Sequence, residues 1–337
     1  MPLRTLALLA LLYFAQGLPF GFQATALPIY LRVRGASLTS IGWLGLLSLP
    51  WMLKALWAPW VDRYGSVRFG RRKSWIVPLQ VGLAAAAATA GAMSARGEIV
   101  PVLALVGLMN LFAATQDIAV DGWAVELLRG RALGPGNAAQ VVGYKLGMLT
   151  GGGLLVWASG SWGWSGLFYT IAVLCLSVGA VAWATPERSA PEAAGRARQS
   201  LTDIFRTLGR TLRAPGAGWV LALIATYKVG ESMADAMFKP FLVDTGIRPA
   251  QIGLWLGTYG MAASLAGSVV GGWAAARWGS LRAVGVTGAL RCLPLLAQTG
   301  LALVPASTAA IVATTCAEHF FGGLLTTAMF AWMMSRV

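Results

Sequence analysis

Residues Trp57 to Ser74 read WAPWVDRYGSVRFGRRKS, and this stretch decides the fold class. A long apolar run ends at Trp60, and another begins after Lys73. Between them lies a short loop that is rich in arginine and contains glycine. Short loops with an excess of Lys and Arg mark the cytoplasmic side of multispan membrane proteins. The stretch therefore predicts a cytoplasmic turn between two membrane-spanning helices.

A weaker copy of this loop, GGWAAARWGSLR, recurs about 210 residues later at Gly271 to Arg282. It also lies between two apolar runs. A motif that returns at the same place relative to its helices indicates two related halves, which are typical of secondary transporters.

The composition excludes an ordinary soluble domain. Of 337 residues, 57% are hydrophobic and 11% are charged, whereas a soluble domain carries roughly 25% charged residues. The net charge of +14 does not indicate nucleic acid as a partner, because the cations lie in short loops between apolar runs. Many of the fifteen tryptophans lie near the ends of these runs, as in the aromatic belts of membrane proteins. The expected surroundings are a lipid bilayer.

The apolar runs predict ten spans, each near the twenty residues that a bilayer requires. They cover residues 5–31, 38–60, 74–94, 99–126, 137–158, 163–185, 217–242, 250–275, 283–304 and 308–334. We expect an all-α transmembrane protein with an N-terminal six-helix bundle at 1–185, a cytoplasmic linker at 186–216 and a C-terminal bundle at 217–337. Part of the linker, from Leu201 to Leu212, is predicted to form an amphipathic helix on the membrane surface.

The distribution of cations predicts the orientation. With the N-terminus inside, the inner segments hold seventeen Lys and Arg residues and the outer segments hold four. The positive-inside rule therefore favours a cytoplasmic N-terminus. The other five cations lie within spans.

Cofactor and metal chemistry find no support in the sequence. Cys175, Cys292 and Cys316 lie within apolar runs and lack CxxC spacing, and His319 is the single histidine. We find no HExxH motif and no phosphate-binding P-loop. An enzyme is not expected, and neither a cofactor nor a metal is.

Several motifs resemble the major facilitator superfamily and, within it, the AmpG-like branch. The superfamily loop motif matches at Asp62, Arg63, Gly65, Gly70, Arg71 and Arg72. More specific similarities are YFAQGLPFG (13–21), LPWMLKALWAPWVDR (49–63), ATQDIAVDGWAVELL (114–128) and GNAAQVVGYKLGMLTGGG (136–153). The last two resemble a signature shared by muropeptide permeases, acetyl-coenzyme A transporters and inner-membrane siderophore transporters. FGRRKSWIVPLQ (69–80) is most similar to the siderophore group.

The resemblance implies a fold of two pseudo-symmetric helix bundles and import across the bacterial inner membrane. The superfamily has twelve spans, so the C-terminal bundle is expected to be truncated after its fourth helix. In the family the loop-motif aspartate packs toward the eleventh helix, so Asp62 is expected to lack that partner. A monomer is the expected state.

Ionisable residues within spans are costly and are functional candidates by default. The seventh span carries Lys228, Glu231, Asp235 and Lys239 along one helix face. We expect these residues to line a substrate or proton cavity. The alternative is an ion-pair ladder that docks this helix.

The fourth span carries Asn110, Asp117 and Asp121 on one face, and Glu126 on the opposite side belongs to the cytoplasmic rim. Lys54 and Lys145 lie at a depth similar to that of Asp117. A Lys–Asp–Lys cluster is expected to reduce the cost of each buried charge. It is interpreted as an anion-binding site or, alternatively, as a gate or structural lock.

The tenth span carries Glu318 and His319 near its middle. Neighbouring residues of a helix point about 100° apart, so one of the two is expected to face the cavity. Either group could hold a transported proton. The alternative is a fixed pair with Lys228 or Arg291.

Two further features concern helix geometry. In the first span, Gln16 is a substrate-contact candidate, and the adjacent Gly and Pro residues predict a broken or kinked helix. In the fifth span, glycines at 143, 147 and 151–153 predict close helix contact. The loop from Asp62 to Arg72 is interpreted as a conformational latch.

A secondary transporter accounts for the repeat, the charges within spans and the motifs together. With no ATP-binding motif, proton coupling and alternating access are the expected mechanism. The expected solute is a muropeptide or a siderophore, with acetyl-coenzyme A or another anionic solute as the alternative. A channel or a non-transporting receptor is the alternative from a different class.

Overall fold

The computed structural model describes residues 3–66, 68–127, 133–187, 206, 209–210, 216–226, 229–303 and 307–334. Within these ranges the regular elements are helical, apart from an isolated bridge between Ser66 and Gly70. The predicted all-α class is therefore confirmed. Most of the predicted linker, with the proposed surface helix, lies outside the described residues.

The first half consists of helices joined by short π and 3-10 segments. The α-helices are α1 (Leu3–Gly21), α2 (Leu27–Val33), α3 (Leu38–Gly42), α4 (Leu49–Leu53), α5 (Ala58–Arg63), α6 (Lys73–Ala95), α7 (Ile99–Leu127), α8 (Leu133–Leu149) and α9 (Leu155–Ala184). The π segments are Phe22–Ala26 and Thr150–Leu154, and the 3-10 segments are Trp43–Ser48 and Lys54–Leu56.

The second half also consists of helices. Its α-helices are α10 (Ala217–Thr226), α11 (Val229–Asp244), α12 (Pro249–Ile252), α13 (Met261–Trp278), α14 (Ser280–Leu301) and α15 (Thr308–Met334). A third π segment, Gly253–Gly260, joins α12 to α13.

Six segments of the described chain are long and apolar enough to cross a membrane. They are Leu3–Val33, Lys73–Ala95, Ile99–Leu127, Ala139–Ala184, Ser280–Leu301 and Thr308–Met333. The segment Ala139–Ala184 has 46 residues, which at about 1.5 Å per residue is roughly twice a bilayer core. It contains the fifth and sixth predicted spans, because Gly163 has a φ of 70° and interrupts the helix there.

The second predicted span, 38–60, is helical in the structure, but it is not one continuous α-helix. It is divided into α3, α4 and α5 by two 3-10 segments. Pro50 and Pro59 each lie in the first turn of a new helix, where a missing backbone N–H costs nothing. Short 3-10 insertions often mark functional hinges, and Lys54 lies in one of them.

The first span departs from the expected break as well. Helix α1 continues through Gly17 and Pro19 without interruption. The irregular part is the π segment Phe22–Ala26, where the helix widens by one residue. The helix is thus unbroken at Gly17 and Pro19, and its irregular turn lies between Pro19 and Pro28.

Glycines of α8 allow α1 to approach closely, as the sequence predicted. A Cβ at Gly143 would overlap the backbone of Ala10, and one at Gly147 would overlap the backbone of Phe14. Gly151, one turn later, faces the backbone of Leu18 in the same way. Small residues at every fourth position let two helix backbones pack directly.

The two halves meet at the end of the bundle opposite the basic loop, which we call the far end. A single apolar core crosses between the halves there. It includes Phe22, Tyr30 and Phe168 from the first half, and Leu242 and Trp255 from the second. The π segments Thr150–Leu154 and Gly253–Gly260 also contact each other. The structure is therefore closed at the far end.

Candidate functional site

An ionic cluster in the first half is built around Lys54. Its ammonium donates to Asp117 and lies 3.8 Å from Oδ2 of Asp121. The hydroxyl of Tyr13 on α1 donates to Oδ1 of Asp121. The Asp117 side chain is 10% exposed, whereas that of Asp121 is 50% exposed. The cluster thus joins a buried acid to one that solvent can reach.

Asn110 fixes a tryptophan beside this cluster. Its amide donates to the carbonyl of Val106, one turn earlier on α7, at 2.9 Å. Its Oδ1 accepts from Nε1 of Trp51 at 2.9 Å. The ammonium of Lys54 lies 5.9 Å from the centroid of the Trp51 ring. Asn110 therefore holds the indole of Trp51 in position beside Lys54.

A second ionic cluster lies in the second half, around Arg291 on α14. Its Nη2 donates to Oε1 of Glu318 on α15 and lies 3.5 Å from Oε2 of Glu231 on α11. The side chain of Arg291 is 4% exposed. This arginine connects three helices through two acids.

His319 completes this cluster. Its Nδ1 lies 2.5 Å from Oε2 of Glu318 and 3.0 Å from the carbonyl of Thr315. The ring also packs against Gly260, the last residue of the third π segment. We expected one of Glu318 and His319 to face the cavity; the side chain of His319 is 22% exposed and that of Glu318 is 8% exposed, and the two are in contact.

Other predicted cavity residues have separate partners. Lys239 forms an ion pair with Asp235 one turn earlier on α11. Lys145 donates to the hydroxyl of Ser268 on α13 at 2.8 Å, which links the two halves. The predicted Lys–Asp–Lys cluster is thus present at Lys54 and Asp117, whereas the described contact of Lys145 is across the halves. Lys228 lies outside the described residues.

Gln16 is fully buried in α1, and neither polar atom of its side chain has a partner in the described chain. The same holds for Gln80 and Gln116. Buried polar groups are normally hydrogen-bonded, often to internal water. The structure therefore places Gln16 in the interior of the first half.

The loop residues form a network at the basic-loop end of the first half. Arg72 donates to Asp62 at 2.6 Å and to Glu126 at 2.9 Å, and Arg71 also donates to Glu126 at 2.6 Å. Helices α5, α6 and α7 are therefore tied together. Because Asp62 pairs with Arg72, it has a partner within this half.

Glu187 adds a further tie to this loop. Its carboxylate accepts from the backbone N–H groups of Arg72 and Lys73 at 3.0–3.1 Å. A carboxylate at a helix N-terminus satisfies unpaired N–H groups and complements the helix dipole. Gly65 lies against the backbone of Arg71, where a side chain would not fit, and Arg63 is exposed.

The chemistry of these sites is ionic and hydrogen-bonding. In the described part of the chain, no group of three or more His, Cys, Asp or Glu residues could hold a metal ion. In the described residues, each half instead holds a cluster of charged side chains, around Lys54 in the first half and around Arg291 in the second. This arrangement suits binding of a polar solute and of protons.

Comparison with known proteins places the chain in a family. The family model for acetyl-coenzyme A transporter 1 matches residues 5–105 and 86–156. The anhydromuropeptide permease of Escherichia coli (strain K12) is 30% identical over 339 residues, which covers 98% of this chain and 67% of the relative. The chain belongs to the AmpG-like permeases of the major facilitator superfamily.

Other relatives agree with this assignment. The putative transporter AmpG 4 of Rickettsia conorii is 24% identical over 336 residues, covering 96% of this chain and 80% of the relative. The crystal structure of the nucleoside transporter NupG has a TM-score of 0.67 at 16% identity, covering 98% of this chain and 83% of that one. The fold of this AmpG-like permease is therefore a major facilitator fold. It is a multi-pass membrane transporter of a small-molecule solute and not an enzyme.

Three residues of this AmpG-like permease were missed as site candidates. Tyr13 and Trp51 lie within motifs that carry the family resemblance, but neither is charged and neither was selected. Arg291 was considered only as a partner. It is the only arginine among the five cations within spans, and that signal alone could have identified it.

An ion pair connects the two halves of the permease at the far end. The guanidinium of Arg32, at the end of α2, donates to both oxygens of Asp244 at 2.6 Å. We expect Arg32→Ala to shift the protein modestly toward conformations that are open at the far end, because one inter-half contact is lost. The distance between spin labels at Thr39 and Thr245 reports this change. Arg248→Ala, at an exposed arginine of the same end, is the matched control.

The same contact has a defined pH dependence. Hydrogen bonds from Arg32 lower the pKa of the Asp244 carboxyl. The pair therefore stabilises the closed far end at neutral pH, and this contribution is lost only as the pH falls through the lowered pKa. The contribution should also weaken with added salt. Equal spin-label distances in Arg32→Ala and the unsubstituted protein at neutral pH would contradict the expectation.

Proposed function

We propose that this permease imports an anhydromuropeptide into the cytoplasm by proton-coupled alternating access, with its N-terminus in the cytoplasm. The observation that carries the proposal is the 30% identity to the E. coli anhydromuropeptide permease over nearly the whole chain. The two ionic clusters, one in each half, support a solute site between the halves. The excess of cations in the inner loops supports the orientation.

The cluster around Arg291 supports proton coupling. Glu231 and Glu318, on different helices, both lie at Arg291, and His319 contacts Glu318. A titratable ring is thus held against an ion-pair network that joins three helices. Asp235 and Lys239, which also act on His319 electrostatically, form an ion pair of their own.

His319 is better suited than Glu318 to carry the proton. The two oxygens of Glu318 contact Arg291 and His319, respectively. Charge-assisted hydrogen bonds of this kind favour an ionised carboxylate. Histidine is the side chain whose charge changes near neutral pH. We therefore assign Glu318 the role of holding His319 and His319 the role of taking up and releasing the proton.

Protonation at His319 can reach the contact between the halves through the third π segment. The ring of His319 packs on Gly260, at one end of this segment. Gly257, one turn earlier, lies against Gly153 of the first half. π-helical turns occur frequently at functional sites. A change in charge at His319 thus acts beside the element that closes the far end.

Uptake into proteoliposomes tests the proposal. We expect labelled anhydromuropeptide to accumulate when an inward proton gradient is applied. His319→Gln should lower accumulation to the level seen without a gradient and retain exchange of labelled for unlabelled solute. Cys292→Ser, at an exposed position of α14, is the control and should transport normally. Accumulation without dependence on the gradient would contradict proton coupling.

Acetyl-coenzyme A is the second candidate solute, because the acetyl-coenzyme A transporter 1 family model matches the first half. It is tested in the same liposomes, together with a ferric siderophore. Saturable uptake of either one in place of the muropeptide would overturn the proposed solute. Flux that does not saturate would instead indicate a channel.

A further inference from the structure

The second copy of the basic loop keeps two arginines of the first copy without its acid. The sequence RWGSLR (277–282) in the second half matches RYGSVR (63–68) in the first half. Asp62 precedes the first copy and pairs with Arg72. The residue that precedes the second copy is Ala276. The second copy therefore retains the positive charge and lacks the aspartate that offsets it in the first.

The acids of the second half are paired with other cations. Residues 217–337 contain four acids. Each has a cation partner described above, namely Arg291 for Glu231 and Glu318, Lys239 for Asp235, and Arg32 for Asp244. Arg277 and Arg282 are exposed and make no ion pair, hydrogen bond or ring contact within the part of the chain that the structure describes. Their counter-charge is therefore expected to come from another molecule.

These two arginines flank one tight turn at the basic-loop end of the bundle. Arg277 lies in the last turn of α13, and Arg282 lies in the first turn of α14. Gly279 joins the two helices with a φ of 82°, a conformation that glycine adopts without steric cost. Because α13 and α14 are apolar helices of a membrane protein, this turn lies where a bilayer presents its headgroups.

Exposed apolar side chains surround the arginines. Trp273 is 57% exposed and Trp278 is 42% exposed, and their rings meet edge-on with centroids 6.0 Å apart. Leu281, next to Arg282, is 61% exposed. Indole rings favour the level of the lipid headgroups. The surface thus offers cations for a phosphate and apolar groups for the chains below it, a combination that a dissolved anion does not require.

We propose that Arg277, Arg282, Trp273, Trp278 and Leu281 form a site for an anionic phospholipid, which we call the second-half lipid site. The two guanidinium groups donate to the lipid phosphate, which they can do in bidentate geometry. The tryptophans and Leu281 contact its glycerol and acyl chains. Basic groups beside membrane-spanning helices bind anionic headgroups in this way. The inference goes beyond the proposed function and depends neither on the solute nor on proton coupling.

Photo-crosslinking in nanodiscs tests the second-half lipid site. The full chain is placed in phosphatidylcholine bilayers that contain a small fraction of phosphatidylglycerol with a diazirine near its glycerol, and the labelled peptides are mapped by mass spectrometry. We expect stronger labelling of the junction of α13 and α14 than by phosphatidylcholine with the same group. Each cation near an anionic headgroup changes binding about fivefold. Arg277→Gln with Arg282→Gln should therefore weaken phosphatidylglycerol binding there about 25-fold, so that labelling falls to the phosphatidylcholine level.

Two further variants separate headgroup recognition from other effects. Arg96→Gln with Arg248→Gln removes two exposed arginines at the far end and should leave labelling of the junction unchanged. Arg277→Lys with Arg282→Lys keeps both positive charges and should retain most of the labelling. The melting temperature of each variant shows whether it is folded, so that loss of lipid binding is not confused with loss of structure.

Three results would overturn the inference. Equal labelling of the junction by the two lipids would show contact without headgroup recognition. Undiminished labelling of the folded double glutamine variant would show that the assigned arginines do not hold the lipid. Loss of labelling when glycerol 3-phosphate is added would identify a site for a dissolved anion in place of a lipid. None of these measurements involves the transported solute, so each result leaves the proposed function to its own test.

Discussion

A valine at Gly257 is expected to lower transport by about tenfold or more while leaving each half of the protein folded. A Cβ at this position would overlap the backbone of Gly153 and the carbonyl oxygen of Gly152. Backbone atoms cannot move aside as the end of a flexible side chain can. The halves must therefore separate locally, and the far end can no longer close as it does here.

The size of this effect follows from the cost of overpacking. Inserting extra atoms into a well-packed contact costs about 1–3 kcal/mol, and each 1.4 kcal/mol changes a two-state population about tenfold. We therefore expect the population of the closed far end to fall by about tenfold or more. Because the transport cycle must pass through this closed state, the transport rate should fall by the same factor as its population.

Solute uptake measures the loss of transport, and spin-label distances across the far end measure the loss of the closed state. Gly285→Val is the matched control, because a Cβ at Gly285 in α14 would meet nothing within 4 Å beyond its chain neighbours and its own helix backbone. Both variants should melt within a few degrees of the unsubstituted protein. Normal uptake by Gly257→Val would show that this close contact is not part of the transport cycle.

Replacing Arg291 by methionine is expected to destabilise the protein severely. The arginine is 4% exposed and is paired with Glu318, whose side chain is 8% exposed. Removing one partner of a buried ion pair leaves an uncompensated charge and typically costs about 3–5 kcal/mol. We therefore expect a large fall in melting temperature and in the yield of folded protein.

Two further substitutions identify the cause. In Arg291→Met with Glu318→Gln, both members of the pair become neutral, and part of the stability should return. Arg291→Lys should cost less than Arg291→Met, because Nη2 makes the described contacts while Nε and Nη1 have no partner in the described chain. Arg282→Met, at an exposed position of the same helix, is the control and should change stability little. A methionine variant as stable as the Arg282→Met protein would contradict the expectation.

The membrane class and most of the spans could be predicted from the sequence, because they depend on composition and on the length of apolar runs. Counting residues from the inner ends of the spans also predicted correctly that Lys54 and Asp117 lie together. The same count could not predict the contact between Lys145 and Ser268, because it gives the level of a residue in the membrane and not the helix that the residue faces. The contact with Ser268 depends on how the two halves dock.

Local departures from α-helix were also beyond sequence reasoning. The π segments at Phe22–Ala26 and Gly253–Gly260 have no proline within them. Both contact the π segment Thr150–Leu154 and each other, and such contacts depend on tertiary packing and not on local composition. Arg291 was underrated for a related reason. Its importance comes from being a shared partner of acids on two other helices, and no spacing along its own helix reveals that.

The position of Glu187 bears on how the first half moves. This residue follows α9, and its carboxylate accepts from the backbone at the start of α6. The end of α9 is therefore coupled to α6 and, through Arg72, to α5 and α7. A force on the end of α9 is then shared by all four helices, so the basic-loop end of this half should move as one rigid unit.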